Sequence, residues 1–285
     1  MEDRSFAQRE SESYVRSIFA QGLIDGAFEI NPRSSKAIAD LKPAQLSIAR
    51  DLGIPIPCTL FSNDPVAIRS FVESSEERVI YKAHTPQTWR ISKEQYVPAL
   101  ATQITFQDIQ DEHALLAAPG IYQHYVEKAE ELRITIMGKT VFQASVIGDE
   151  HTDWRANKQR KFRVPEMPLT DQEIQNCFQL MDRLKIVFGC FDFIRTPCGK
   201  LVFLEVNEMG QWLFIEQDLP ELHMLDAFTQ FIFSQDKFFD YKKTYRRKPL
   251  TFMDFIQSDR ARNWCHDERL RHIEQTPFVS VESTT

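Results

Sequence analysis

Phe191-Asp-Phe-Ile-Arg195 … Phe203-Leu-Glu-Val-Asn207 is the stretch that decides how the rest of the sequence is read. Two apolar segments flank Thr196-Pro-Cys-Gly-Lys200, the pattern of an antiparallel hairpin. With residues 197–200 as a four-residue loop, Thr196 pairs with Leu201. Asp192 then lies directly opposite Glu205, with Cβ atoms about 4.5–5.5 Å apart. Asn207, two residues beyond Glu205, projects from the same face. Carboxylates facing each other across a ladder repel. A divalent cation converts that repulsion into binding, and Asp, Glu and Asn oxygens suit magnesium. If the register differs by one residue, one carboxylate faces solvent and the site does not exist.

A second hairpin lies upstream. Glu131-Leu-Arg-Ile-Thr-Ile-Met137 alternates, with Glu131, Arg133 and Thr135 on one face and Leu132, Ile134 and Ile136 on the other. Gly138-Lys139 has the chemistry of a two-residue turn, and residues 141–147 return antiparallel. Arg78-Val-Ile-Tyr-Lys82 reads as a buried strand ending in a lysine. Helical patterns cover residues 11–28, 35–48, 171–184 and 220–233, and Asp64-Pro65 opens another helix. Residues 85–120 read as polar and irregular, with one short helix near 108–116. A peripheral helix is expected at 260–273. These elements describe an α+β chain. Neither G-x-G-x-x-G nor G-x-x-x-x-G-K-[ST] occurs, so Rossmann and P-loop sites are excluded.

The 285 residues are 42% hydrophobic and 26% charged, ordinary globular proportions. Lys+Arg number 34 against 41 Asp+Glu, a net charge of −7, which argues against a nucleic-acid partner. No eighteen apolar residues run together, so no membrane span is expected. The charged start argues against a secretory signal. Cys58, Cys177, Cys190, Cys198 and Cys265 show no disulfide or zinc spacing, and a reducing cytoplasm fits best. The 22 phenylalanines read as core.

Glu205-Val-Asn-Glu-Met-Gly-Gln-Trp-Leu-Phe-Ile-Glu216 resembles the magnesium-binding signature of ATP-grasp ligases. It is most similar to the group that installs ester and amide rings in ribosomally made peptides, the microviridin-type or graspetide macrocyclases of RiPP biosynthesis. The likeness extends backward in order: Leu41-Lys42-Pro-Ala-Gln-Leu46, Asp51-Leu-Gly-Ile-Pro-Ile-Pro57, Thr59-Leu-Phe-Ser-Asn-Asp-Pro65 and Ile80-Tyr-Lys82. Tyr122-Gln-His-Tyr-Val126, Glu131-Leu-Arg133 and Asp153-Trp-Arg155 follow, with Asn157 nearby. It covers roughly residues 30–235.

The resemblance implies an ATP-grasp fold in which two α+β subdomains enclose ATP. It implies subdomains at 35–125 and 126–235, a helical remnant at 1–34 and a C-terminal extension at 236–285. Lys42 and Lys82 contact phosphates on this reading. Gln123 and the backbone of His124, Tyr125 and Val126 meet adenine, and Glu131 meets the ribose hydroxyls. Asn157 belongs to the same cofactor-binding set. Asp192, Glu205 and Asn207 hold one or two Mg2+. Arg133 and Arg155 are the candidates for stabilising charge on the transferring phosphoryl group or gripping a substrate carboxylate. The implied activity is an ATP-dependent carboxylate–amine or carboxylate–hydroxyl ligase acting through an acyl phosphate. Its partner is a precursor peptide or protein. The alternatives are a glutamate-adding or amino-acid-adding ligase and a catalytically silent ATP-binding accessory protein.

Two expectations mark departures from that family. Full-length members carry a small α/β domain before the lysine helix. Its near absence here implies a shortened chain, or a second protein that supplies the missing wall. Ring-forming members often dimerise, so a homodimer is compatible with the resemblance. From the residues alone, Lys42 also reads as a helix-end cation and Arg133 as the exposed face of its strand. Asp153 also reads as a cap or partner of Arg155. Glu208 is expected to point outward, and Gln211 and Trp212 either touch substrate or pack the hairpin onto the next helix.

Overall fold

The computed structural model describes residues 2–20, 26–76, 78–84, 88–90, 96–147, 152–157, 159–242 and 248–259. The chain divides into two units, Met1–Ile30 and Asn31–Thr285. The first is built on one helix, α1 (Glu2–Ala20), whose Phe6, Tyr14 and Val15 are exposed. It starts earlier than the apolar stripe predicts. The helix expected at 260–273 lies outside the described residues.

The second unit begins with α2 (Arg33–Ala39) and α3 (Lys42–Asp51), where the sequence reads as one helix. The break falls at Asp40-Leu41 because Leu41 is extended and Pro43 sits in the first turn of α3. Lys42 is therefore the first residue of a helix. There follow β1 (Thr59–Ser62), α4 (Pro65–Glu73) and β2 (Val79–Lys82). Asp64 caps α4, its side chain accepting from the Val66 N–H at 3.0 Å. The stretch expected to be irregular contains β3 (Thr88–Arg90), β4 (Tyr96–Pro98) and β5 (Thr102–Ile104), then α5 (Glu112–Ala117). Short polar strands carry too weak a period to stand out. Next is β6 (Gly120–His124), and β1, β6, β2 and β5 form one antiparallel sheet in that order.

A five-stranded antiparallel sheet carries the rest. β7 (Glu130–Met137) and β8 (Thr140–Ile147) form the predicted hairpin, with Gly138 at φ +62°. A Cβ on Gly138 would also lie 2.6 Å from the Phe239 carbonyl oxygen, so the turn requires glycine for conformation and for room. β9 (Lys161–Arg163) pairs with β8. After α6 (Asp171–Leu184) come β10 (Phe188–Arg195) and β11 (Leu201–Asn207), giving the order β11-β10-β7-β8-β9. The unit ends with α7 (Ile215–Asp218), α8 (Met224–Ser234) and α9 (Phe252–Ile256).

One face of this sheet makes the core. Leu132, Ile134 and Ile136 of β7 pack with Phe191, Phe193 and Phe203 against α3 and α6. Phe191 and Phe193 stack at 6.0 Å, and Phe203 meets Phe193 edge-on at 5.5 Å. Phe203→Ala removes a fully buried ring. The expected cost is about 3–5 kcal/mol, lowering Tm by on the order of 10 °C at this size. Calorimetry checks it; a shift below about 2 °C would mean the cluster is not the core of the unit.

Among the described residues no helix is long and apolar enough to cross a membrane. Cys58, Cys177, Cys190 and Cys198 are all free thiols.

Candidate active site

The predicted pairing of Asp192 with Glu205 is present, but the loop does not produce it. Arg195, not Thr196, pairs with Leu201, so the hairpin leaves the loop one residue away from the expected register. A bulge at Leu204 then restores it: Phe193 pairs with Phe203 and Asp192 with Glu205. The bulge has a second consequence. Phe203 and Glu205 would share a face in a regular strand, yet Phe203 enters the core while Leu204 and Glu205 both face the cleft. The Phe203 N–H, displaced from the regular ladder, donates to the Pro55 carbonyl at 2.8 Å.

Next to Asp192 in the sheet stands Arg133 of β7, and its Nη1 donates to both Asp192 oxygens at 2.8 and 2.7 Å. Asn207 Nδ2 approaches Asp192 Oδ2 at 3.4 Å. Glu205 is paired with Lys42. A lysine at a helix N-terminus opposes the helix dipole, so this carboxylate explains its place there. The connection between α3 and β11 is Gln45. Its side-chain oxygen accepts from the Val206 N–H at 2.9 Å and its nitrogen donates to the Val206 carbonyl at 2.8 Å. Gln45 is one turn on from Lys42, so this two-way bond fixes the lysine beside Glu205. The sequence reading gave Gln45 no role; a buried glutamine one turn after the lysine is the signal that could have found it.

Lys42, Lys82, Glu131, Asp153, Arg155, Asp192, Glu205 and Asn207 line one open cleft. Ala83, Ala99, Ala101, Thr152, Trp154 and Leu204 complete the lining. A second, narrower space shares Lys82, Glu131, Thr152 and Leu204 with it and adds Gln123, His124, Tyr125 and Val126. The nucleotide-binding candidates thus fall into two adjoining spaces. Gln123 is tied within its wall, with Oε1 accepting from Lys82 Nζ at 2.8 Å and Nε2 donating to Thr59 Oγ1 at 2.9 Å. The N–H groups of His124 and Tyr125 already donate to the carbonyls of Cys58 and Arg78. The His124 ring lies 4.8 Å from Phe71.

Asp153 holds Arg155 by a fork, accepting from Nε at 2.8 Å and Nη2 at 2.6 Å, and also accepts from the backbone N–H groups of Arg155 and Ala101. Both readings of Asp153, cap and partner, hold. Asn157 lies outside both linings, its Oδ1 accepting from the Gln159 N–H at 2.9 Å. Arg133 is a buried residue behind Asp192, not an exposed strand face. Its Nε has no partner among the described residues. Glu208 does not point outward: its side chain is buried and meets Lys36 at 3.4 Å. The reason is Asn31, which bonds the Glu208 and Phe188 carbonyls and draws the loop after β11 inward. Trp212 packs on Phe228 at 5.0 Å.

The charges are strongly perturbed. Burial raises Glu205, but Lys42, Lys82 and Arg155 outweigh it and hold the carboxyl at about 2. Burial pushes Asp192 up, opposed by Arg133 and reinforced by Glu205. Lys82 is lowered, chiefly by burial. Burial raises Glu131 to about 7, although Lys128 Nζ sits 2.7 Å away. Such shifts gathered in one cleft mark a functional site. Among the described residues no three His, Cys, Asp or Glu side chains form a ready metal cluster. The oxygen set of Asp192, Glu205 and Asn207 on one cleft face nevertheless fits a hard cation such as Mg2+, with the third ligand an amide.

No family model matches the chain, and no curated protein sequence matches it. Solved structures do. The macrocyclase MdnC of Microcystis aeruginosa, bound with precursor peptide MdnA, is 28% identical with TM-score 0.65, covering 75% of this chain and 68% of that one. The macrocyclase MdnB of the same organism is 27% identical with TM-score 0.62, covering 77% and 67%. A Chryseobacterium gregarium RiPP-associated ATP-grasp ligase, in complex with ADP and a leader and core peptide, has TM-score 0.64 at 22% identity and covers 80% and 67%. This chain thus has the ATP-grasp fold, and the solved structures it is similar to include RiPP-associated ligases and macrocyclases.

Proposed function

We propose that the chain is an ATP- and Mg2+-dependent ligase that joins a side-chain carboxylate of a ribosomally made precursor peptide to a hydroxyl or amine, forming ester or amide crosslinks. The observation that carries this reading is the single cleft in which Lys42, Lys82, Asp192, Glu205, Asn207 and Arg155 meet. The peptide carboxylate takes the terminal phosphoryl group of ATP and ADP departs. A peptide hydroxyl or amine then displaces phosphate from the acyl phosphate, losing its proton. Mg2+ bound by Asp192, Glu205 and Asn207 would supply charge neutralisation at the phosphates.

The chain's own residues divide the remaining work. Lys42 and Lys82 meet phosphates as point charges. Adenine is assigned to the side of the cleft bounded by Gln123 and residues 124–126, where backbone groups supply the polar edge. Glu131 accepts from the ribose hydroxyls. Arg155, kept in place by Asp153, presents a fixed cation to the substrate carboxylate or the developing phosphoryl charge.

The testing experiment pairs thermal unfolding with product analysis. Mg-ATP at 100 times Kd should stabilise the chain by about 2.7 kcal/mol, and Lys82→Ala should abolish the shift. Incubation with ATP, Mg2+ and a candidate precursor peptide should release ADP and remove one water per bond from the peptide mass. ATP binding with no ADP release for any peptide sinks the ligase reading.

A pH dependence follows from Glu131. Its ionised form is the better acceptor for ribose hydroxyls, so nucleotide binding tightens as pH rises through about 7. Lys82, already lowered by burial, limits affinity on the alkaline side. Mg-ADP affinity measured at pH 6 and pH 8 should differ severalfold in the wild type and become flat on the acid side in Glu131→Gln. Folding responds with the opposite sign. The unfolded carboxyl ionises near 4.5 and the folded one near 7, so this group's contribution to stability falls between those values.

A further inference from the structure

Arg133 belongs to neither cleft lining. Its guanidinium lies behind Asp192, the side chain 6% exposed. Nη1 bridges the two Asp192 oxygens, and Nη2 donates to the Gln211 carbonyl at 3.1 Å. Gln211 lies in the loop after β11, the strand of Glu205 and Asn207. One planar cation therefore ties the β10 carboxylate to the segment that follows the other two oxygen donors.

The space it occupies depends on residue 210. A Cβ on Gly210 would lie 2.9 Å from Arg133 Nη2, 2.7 Å from the Cys190 Cβ and 2.9 Å from the Asn207 Cβ. Two of those neighbours are Cβ atoms held by strand backbone, so a side chain at 210 must push the loop off β10 and β11 and off the guanidinium together. Gly210 has no positive φ; glycine stands there for room, not for conformation. Cys190 closes the far side, its Sγ donating to the Gly210 carbonyl at 3.4 Å.

We propose that Arg133 and Gly210 form a bracket that fixes the Asp192 carboxylate for a divalent cation, Arg133 as a positioning residue and Gly210 as the gap that admits it. The proposal rests on the metal-binding reading of Asp192, Glu205 and Asn207. An aspartate with free χ1 and χ2 must lose that freedom on binding a metal; one held by a buried guanidinium has already lost it.

The test is a Mn2+ titration of the full chain followed by water-proton relaxation, without nucleotide and again with ADP. Gly210→Ala and Arg133→Met should each weaken Mn2+ binding by about 10–100-fold, the loss typical of an outer-shell partner. Peptide KM should stay within about twofold, because neither residue touches the peptide. Arg133→Lys, which keeps the charge and loses the Gln211 bond, should fall between and serves if Arg133→Met does not fold. Wild-type Mn2+ affinity in Arg133→Met or in Gly210→Ala overturns the proposal. A raised peptide KM with unchanged Mn2+ affinity in Arg133→Met would assign Arg133 to the substrate instead. Wild type that binds ADP but no Mn2+ ends the bracket; wild type that binds Mn2+ but no ADP supports the metal site and ends the ligase reading.

Discussion

Glu205→Gln is expected to reduce turnover by about 10²–10³-fold, the loss typical of removing one charge-stabilising group from an active site. Two effects combine. On the proposed metal-binding reading the cleft loses one ligand oxygen, and Lys42 loses its ion-pair partner while Lys82 loses a nearby anion. Removing one partner of this half-buried pair leaves a cation without its anion, so the variant should also melt earlier. Adding Lys42→Met should recover much of that stability by removing the orphaned cation, and none of the activity. The acid limb of the stability profile changes too. Glu205 is held at about 2 against an ordinary 4.5, so its ionisation favours the folded state above 4.5 and this is lost as pH falls towards 2. In Glu205→Gln that part of the profile should flatten. ADP release assayed with peptide present decides the main claim: a variant retaining more than about a tenth of the wild-type rate is incompatible with Glu205 as a metal ligand.

Arg155→Met is expected to lower kcat/KM for peptide by about 10²–10³-fold while leaving Mg-ATP stabilisation largely intact. Arg155 is nearly half exposed, its side chain 46% accessible at the cleft wall, yet it does not wander because Asp153 grips it through two nitrogens. Asp153 itself is buried and retains two backbone donors, so the substitution leaves a carboxylate that is still partly satisfied. Arg155→Lys should rescue little, because an ammonium cannot span both Asp153 oxygens in the fork geometry. Asp153→Asn should produce a milder version of the same defect. Steady-state ADP formation against peptide concentration separates the outcomes. An increase in KM alone means substrate gripping, a fall in kcat means stabilisation of the transferring phosphoryl charge, and unchanged kcat/KM removes Arg155 from the site.

Much of this site was legible because its chemistry is local. Asp192, Glu205 and Asn207 sit on one hairpin, and period two puts Glu205 and Asn207 on one face. Gly138-Lys139 specifies its turn through the positive φ that glycine allows. The helix at Asp171–Leu184 declares itself by a capping box from Thr170 to Glu173 and a strong apolar stripe. Lys42, Lys82 and Arg155 were legible only through resemblance, since nothing in an isolated lysine says which cavity it reaches. Residues 85–120 were misread because strands of three residues carry almost no periodic signal.

By itself the sequence determined that one hairpin carries Asp192 and Glu205, that an apolar face lies behind them, and that the chain is α+β. The tertiary structure decided how. The loop closes one residue off, and the Leu204 bulge returns the carboxylates to register while sending Phe203 to the core. It also decided that Arg133 stands behind the site rather than in it, and that Gln45 carries Lys42 to Glu205. Bulges and buried ion pairs are settled by packing between distant segments, where desolvation makes an unpaired charge or an unbonded N–H too costly to leave. No local pattern encodes that balance.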